Sequence, residues 1–119
     1  MKDQPAIDLL PEHWEIVREI LQRLVPDRAV WAFGSRARWM AKPYSDLDLA
    51  ILGEESLMLG TLADLHEAFG ASDLPFKVDV VEWAMTAEGF RRIVERDAVV
   101  VQKGRDGGVW KPFAGRESA

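Results

Sequence analysis

The 119-residue chain has no cysteine, which removes disulfides, thiolate metal sites and cysteine nucleophiles from consideration. The same absence fits a reducing compartment. No apolar run approaches the ~18 residues that a membrane-spanning helix needs. The opening stretch, Met1 to Ile7, carries Asp3 and Pro5 where a secretory signal would have an apolar core. The expectation is a soluble, cytoplasmic protein with no membrane association. Basic charge is also scarce: 15 Lys and Arg face 20 Asp and Glu, for a net charge of −5. A protein that grips nucleic acid through phosphates wants a basic face, so direct nucleic-acid binding is not expected. Tyrosine occurs once, at Tyr44, and histidine twice, at His13 and His66. The histidines fall on separate expected helices with no companion ligand and read as exposed helical side chains.

The length suits one domain, since a single core usually takes ~100–200 residues. The charge is uneven. Lys103, Arg105, Lys111 and Arg116 against Asp106 and Glu117 make the last stretch basic, leaving 11 basic and 18 acidic residues before it. The expected division is a domain over 1–102 and a flexible, basic, Gly-rich tail over 103–119. Trp110 and Phe113 are large apolar residues within that tail.

Pro11 to Val25 reads as a helix. Pro11 suits a first turn, Pro26 closes the segment, and Trp14, Val17, Leu21 and Leu24 recur at helical spacing. Ala29 to Phe33 is short and apolar and stops at Gly34, as a buried strand would. Ser35 then reads as an N-cap for a short helix over Arg36 to Ala41. Asp46 to Leu52 alternates, placing Asp46, Asp48 and Ala50 on one strand face and Leu47, Leu49 and Ile51 on the other. A helix from Ser56 to Phe69, ending at Gly70 as C′ residue, follows. Phe76 to Trp83 is a further strand, with Lys77, Asp79 and Val81 on one face and Val78 and Val80 on the other. Thr86 caps a helix to about Arg96, and Val99 to Val101 makes a fourth strand. Strands alternating with helices imply a compact α/β fold.

Three features converge on chemistry. Gly34-Ser35 stands where a strand passes into a helix, a place where phosphate can approach the backbone and meet free amides. Asp46 and Asp48 share a strand face, and two carboxylates held that close repel unless a cation lies between them. Mg²⁺ takes oxygen ligands and shares its shell with substrate phosphates. Read alone, the pair is better explained as two solvated acids at a strand end. Asp79, between Val78 and Val80, is costly to bury unless it is paired or ligating; the bland alternative is an edge-strand acid facing water.

Taken together, Gly34-Ser35, Asp46-x-Asp48 and Asp79 on a later strand resemble the polymerase-β-like nucleotidyltransferases. The strings Gly34-Ser35-Arg36-Ala37-Arg38 and Ser45-Asp46-Leu47-Asp48-Leu49-Ala50 resemble the minimal nucleotidyltransferase group in particular, over roughly residues 10–102. The resemblance implies a short mixed β-sheet flanked by helices, with the active site at one end of the sheet. It implies ATP as substrate, two Mg²⁺ ions held by Asp46, Asp48 and Asp79, and Asp79 accepting the acceptor's proton. Gly34 and Ser35 would hold the β- and γ-phosphates. Arg36 and Arg38 are the candidates for neutralising phosphate charge, because a guanidinium matches phosphate bidentately. Compact members of the group act as antitoxins that transfer AMP to a tyrosine of a HEPN-domain ribonuclease toxin, in a hetero-oligomer. The alternatives are an antitoxin that works by binding alone, and a small-molecule transferase completed by a second subunit. Trp39 departs from the pattern, standing where relatives usually carry a small residue such as Gly. Tyr44 lies in the loop that leads to Asp46.

Overall fold

The computed structural model describes residues 4–104. Helix α1 spans Pro11–Leu24, with Pro11 in its first turn, Glu12 at its positive end and Arg23 at its negative end, the charge order that a helix dipole favours. Its buried residues are Trp14, Val17, Ile20 and Leu21, which is the expected stripe except that Leu24, in the last turn, is only half-buried. Strand β1 (Val30–Phe33) is buried along its whole length. Strand β2 (Leu47–Ile51), helix α2 (Leu59–Ala71), strand β3 (Val78–Glu82), a 3₁₀ turn (Trp83–Met85), helix α3 (Glu88–Asp97) and strand β4 (Val99–Gln102) follow.

The sheet order is β3-β2-β1-β4. β1 lies antiparallel to both β2 and β4, while β2 and β3 run parallel. The sheet is therefore mixed, as the resemblance implied. Both of its faces are covered. Leu47, Leu49 and Ile51 pack with Val17, Leu21, Leu65 and Phe69 in one core on the α1 and α2 side. Ala50 and Leu52 join Trp31, Phe33, Trp83 and Val94 in a second core on the α3 side. The period-two reading of β2 therefore has the right register, and the acid-bearing face is the one that meets α3.

The structure corrects several expectations. Residues 35–39 form turns and no α-helix. The segment makes one helical turn, with the Arg38 amide donating to Gly34 O, and then closes as the Met40 amide reaches back to Ser35 O at 2.9 Å. That six-to-one bond around a left-handed residue is a Schellman stop, and the left-handed residue is Trp39, at φ 57°. Helix α2 starts at Leu59, later than Ser56, because the Leu57 amide donates to the Glu82 carboxylate and holds the preceding segment extended. It also runs through Gly70 to Ala71, and Ser72 ends it by donating both its amide and its hydroxyl to Phe69 O. Thr86 does not cap α3: its hydroxyl donates to Glu82 O, and the N-cap position belongs to Ala87. The expected β3 is trimmed at both ends, Trp83 opening the 3₁₀ turn. The tail expected over 103–119 lies, from residue 105 onward, outside the described residues.

Candidate active site

β1 ends where β2 and β3 begin, so one end of the sheet gathers the polar residues. Phe33 pairs with Asp48, and Asp48 stands beside Asp79 in the parallel register. In-register neighbours on adjacent strands project to the same face, which brings these two carboxylates together from positions 31 residues apart. Asp46 precedes the first residue of β2 and is exposed. Gly34 follows β1 directly, with φ 77°. A Cβ there would lie 2.5 Å from Asp48 Oδ2. Two independent reasons therefore demand glycine, a left-handed backbone and a carboxylate pressed against it.

Burial comes first among the causes that raise the Asp48 carboxyl to about 6, with the charges of Asp79 and then Asp46 adding to it. The group is short of positive charge. Asp79 has a cation of its own: Lys77 Nζ lies 3.2 Å from Asp79 Oδ1, on the surface. The hydrogen bond to Asp79, and then its charge, hold the Lys77 ammonium above the usual lysine range. Among the described residues, no three Asp, Glu or His side chains are gathered so as to cage a metal ion on their own. Lys77 draws Asp79 toward itself, and Asp46 stands outside the strand. The donor set nevertheless fits Mg²⁺, which takes one or two carboxylates and completes its shell with water and substrate phosphate. The uncompensated carboxyl of Asp48 is what such an ion would neutralise.

The two arginines part company. Arg36 is 5% exposed and spends its donors on backbone carbonyls: Nε to Ser45 O at 2.9 Å, Nη1 to Asp8 O at 2.8 Å, and Nη2 to Lys42 O and Pro43 O at 3.4 and 3.1 Å. Its guanidinium also sits 4.0 Å from the centre of the Phe76 ring. Burial, the leading cause, holds its pKa below the usual arginine range, with Asp8 and Asp46 opposing. The expected phosphate contact is thus corrected to a structural one, in which Arg36 clamps the loop before Asp46 to the N-terminal segment. Arg38 is exposed and close enough to Asp97 for its charge to be felt there, at the rim of the site.

Asp97 escaped the sequence reading. Its side chain is 7% exposed and meets Arg96 at 3.0 Å. That hydrogen bond leads the causes that hold its carboxyl below the usual range; burial opposes, while Arg38 and the backbone amide of Gly34 add to the lowering. Asp97 therefore ties the end of α3 to the Gly34 turn. The signal was available, since an acid in the last turn of a helix opposes the helix dipole and needs another reason to be there. One consequence is that the Gly34 amide already has a carboxylate acceptor on α3.

The family model for polymerase β nucleotidyltransferases matches residues 15–106. The chain belongs to this nucleotidyltransferase family. It is 51% identical over 108 residues to the probable protein adenylyltransferase MntA of Haemophilus influenzae, covering 91% of this chain and 94% of that one. Among solved structures, a toxin–antitoxin complex with AMP-PNP superposes with a TM-score of 0.64 at 20% identity, covering 78% of this chain and 75% of the other. A complex of a tri-AMPylated Shewanella oneidensis HEPN toxin with an MNT antitoxin gives 0.58 at 17% identity, covering 90% of this chain and 76% of the other. At those identities the likeness is one of fold. In this nucleotidyltransferase, Asp48 and Asp79 lie side by side on the sheet, and Asp48 presses against the Gly34 turn.

Proposed function

We propose that this nucleotidyltransferase transfers AMP from ATP to a tyrosine hydroxyl of a HEPN-domain toxin and thereby acts as the antitoxin of the pair. The observation that carries the reading is the in-register pairing of Asp48 with Asp79 beside a glycine whose Cβ would meet Asp48 Oδ2 at 2.5 Å. The 51% identity with the Haemophilus protein adenylyltransferase supports protein as the acceptor class. The solved complex with a tri-AMPylated HEPN toxin supports the partner and the nucleotide.

In this reading Asp46, Asp48 and Asp79 are the residues that would hold the Mg²⁺ ions. Bound there, the ions would supply charge neutralisation to the attacking and leaving oxygens of an in-line displacement at the α-phosphorus. The chain's own work is positioning. The Gly34 turn lets the phosphate chain lie against the backbone, the Ser35 hydroxyl donates to it, and Arg38 offers a guanidinium at the rim. Asp79 accepts the tyrosine proton as the oxygen–phosphorus bond forms, and pyrophosphate leaves with the electron pair of the broken bond. Arg36 holds the approach to Asp46 in one conformation.

The test is the double variant Asp46→Asn, Asp48→Asn, mixed with the HEPN toxin and Mg·ATP. Wild type should add one or more AMP units to the toxin by mass and silence it. The variant should bind the toxin, since an interface spreads over many residues beyond the metal site, yet add no mass and leave the toxin active. Full silencing by the unmodifying variant would show that occlusion, and not transfer, is the function.

A further inference from the structure

We propose that Phe90 is the side chain against which the adenine ring of ATP stacks, so that α3 forms the base-holding wall of the site. The proposal rests on the transferase reading above. It starts from the way α3 lies on the sheet. Arg91 donates to Trp83 O at 2.6 Å and sets its guanidinium 4.8 Å from the centre of the Trp83 ring. Trp83 in turn meets Trp31 edge to face at 6.0 Å. That side of the helix sits over the register row Trp31, Ala50 and Val81. Phe90, one residue earlier, meets Phe33 edge to face at 5.6 Å. Phe33, Asp48 and Asp79 are register partners across β1, β2 and β3, and register partners project to one face. Phe90 therefore touches the row that carries the two acids, one strand away from Asp48.

The ring is not consumed by the core. Phe90 is 39% exposed and Ile93, one turn along the helix, is 43% exposed, whereas Val94 is fully buried. Neither residue belongs to either hydrophobic core, and the other open positions of α3 are mostly charged. Phe33 is only 7% exposed, so a buried partner holds the Phe90 ring in place, and a ring already ordered loses little on binding a ligand. Asp97 stands two turns beyond Phe90 on the same side of the helix, and there it accepts from the Gly34 amide. The side of α3 between them covers about 10 Å at ~1.5 Å per residue. That length matches the reach from the phosphate chain of a nucleotide to its base.

The in-line geometry selects the base over the acceptor as the occupant. Pyrophosphate leaves along the Gly34 turn and Asp79 takes the proton on β3, so the acceptor enters from the β3 side. Phe90 lies against β1, on the other side of Asp48. The ribose and base are what the α-phosphate carries toward it. A stacking ring suits that position, because every base offers a π-face to an aromatic side chain.

Calorimetry on the purified full chain compares Mg·ATP with Mg·tripolyphosphate, which carries the same phosphate chain and no base. Phe90→Leu keeps apolar bulk against Phe33 and removes the ring. It should weaken Mg·ATP about tenfold and leave Mg·tripolyphosphate unchanged, while Phe90→Trp should retain wild-type affinity for both. Equal weakening of the two ligands by Phe90→Leu overturns the proposal, since it assigns Phe90 to the frame of the site. Unchanged Mg·ATP affinity in Phe90→Leu also overturns it, and a fall in transfer to the HEPN toxin in that variant would then place the acceptor on this wall. Either result with wild-type transfer intact overturns the proposal alone. A wild-type chain that binds neither ligand and transfers no AMP overturns the transferase reading with it.

Discussion

Replacing Asp48 with Asn should stabilise the metal-free protein above about pH 6 and leave its stability unchanged near pH 4 and below. The folded protein holds the Asp48 carboxyl near 6, where an ordinary aspartate sits at 3.8. Between those values the folded chain binds a proton that the unfolded chain has released. Stability therefore falls as pH rises through the window and stays lowered above it. The full difference corresponds to about 3 kcal/mol at ~1.4 kcal/mol per pKa unit. The group is only half-buried, and solvent screening brings the expected cost to about 1–2 kcal/mol. Asn keeps the shape and removes the charge. Urea denaturation in chelator, at about pH 4 and about pH 7.5, should show the variant equal to wild type at the lower pH and more stable at the higher. Asp46→Asn removes only one neighbouring charge and should give a smaller gain. A gain of the same size at both pH values would mean that ionisation is not its cause. No gain at the higher pH would refute the argument that Asp48 is held at a cost to be repaid by a cation.

Other substitutions probe the frame around the acids. Leu49 is fully buried, and Leu49→Ala should cost about 2–5 kcal/mol in urea denaturation; a loss well under 1 kcal/mol would contradict the burial of this face of β2. Trp39→Gly should raise the thermal midpoint by the equivalent of about 1 kcal/mol, because a left-handed φ of 57° is strained for tryptophan and free for glycine; an unchanged or lower midpoint would show that the exposed ring contributes packing that outweighs the strain. Arg36→Met removes the donors to Ser45, Asp8, Lys42 and Pro43 carbonyls and should cost at least about 2 kcal/mol, where a solvent-facing arginine would cost almost nothing. Gly34→Ala should abolish most nucleotide transfer, since its Cβ would lie 2.5 Å from Asp48 Oδ2; wild-type transfer by this variant would show that the close approach is not needed.

The strand positions of Asp48 and Asp79 were legible because their signal is local and doubles as strand grammar. Asp46-x-Asp48 sits inside an alternation that also announces the strand, and Asp79 lies between two valines that need burial. The pairing of Asp48 with Asp79 was less so, because it depends on β2 and β3 being parallel neighbours, a relation that no spacing within either strand contains. Where the reading went astray, a side chain was doing something its type does not advertise. Arg36, beside a phosphate-type turn, invites a ligand role, but a guanidinium with several donors can equally satisfy the carbonyls of a compact loop. Tryptophan at position 39 conceals the left-handed residue that ends the turn, where glycine would have declared it. The two departures are connected. The turn from Ser35 to Met40 ends early enough for the chain to reverse at Lys42-Pro43-Tyr44-Ser45, and Arg36, projecting from the first turn, reaches across to hold that reversal. An α-helix continued to Ala41 would carry the chain away from the carbonyls that Arg36 now binds. A strained residue at 39 and a buried charge at 36 are thus two parts of one device, which brings the loop back to the sheet end so that Asp46 enters beside Asp48.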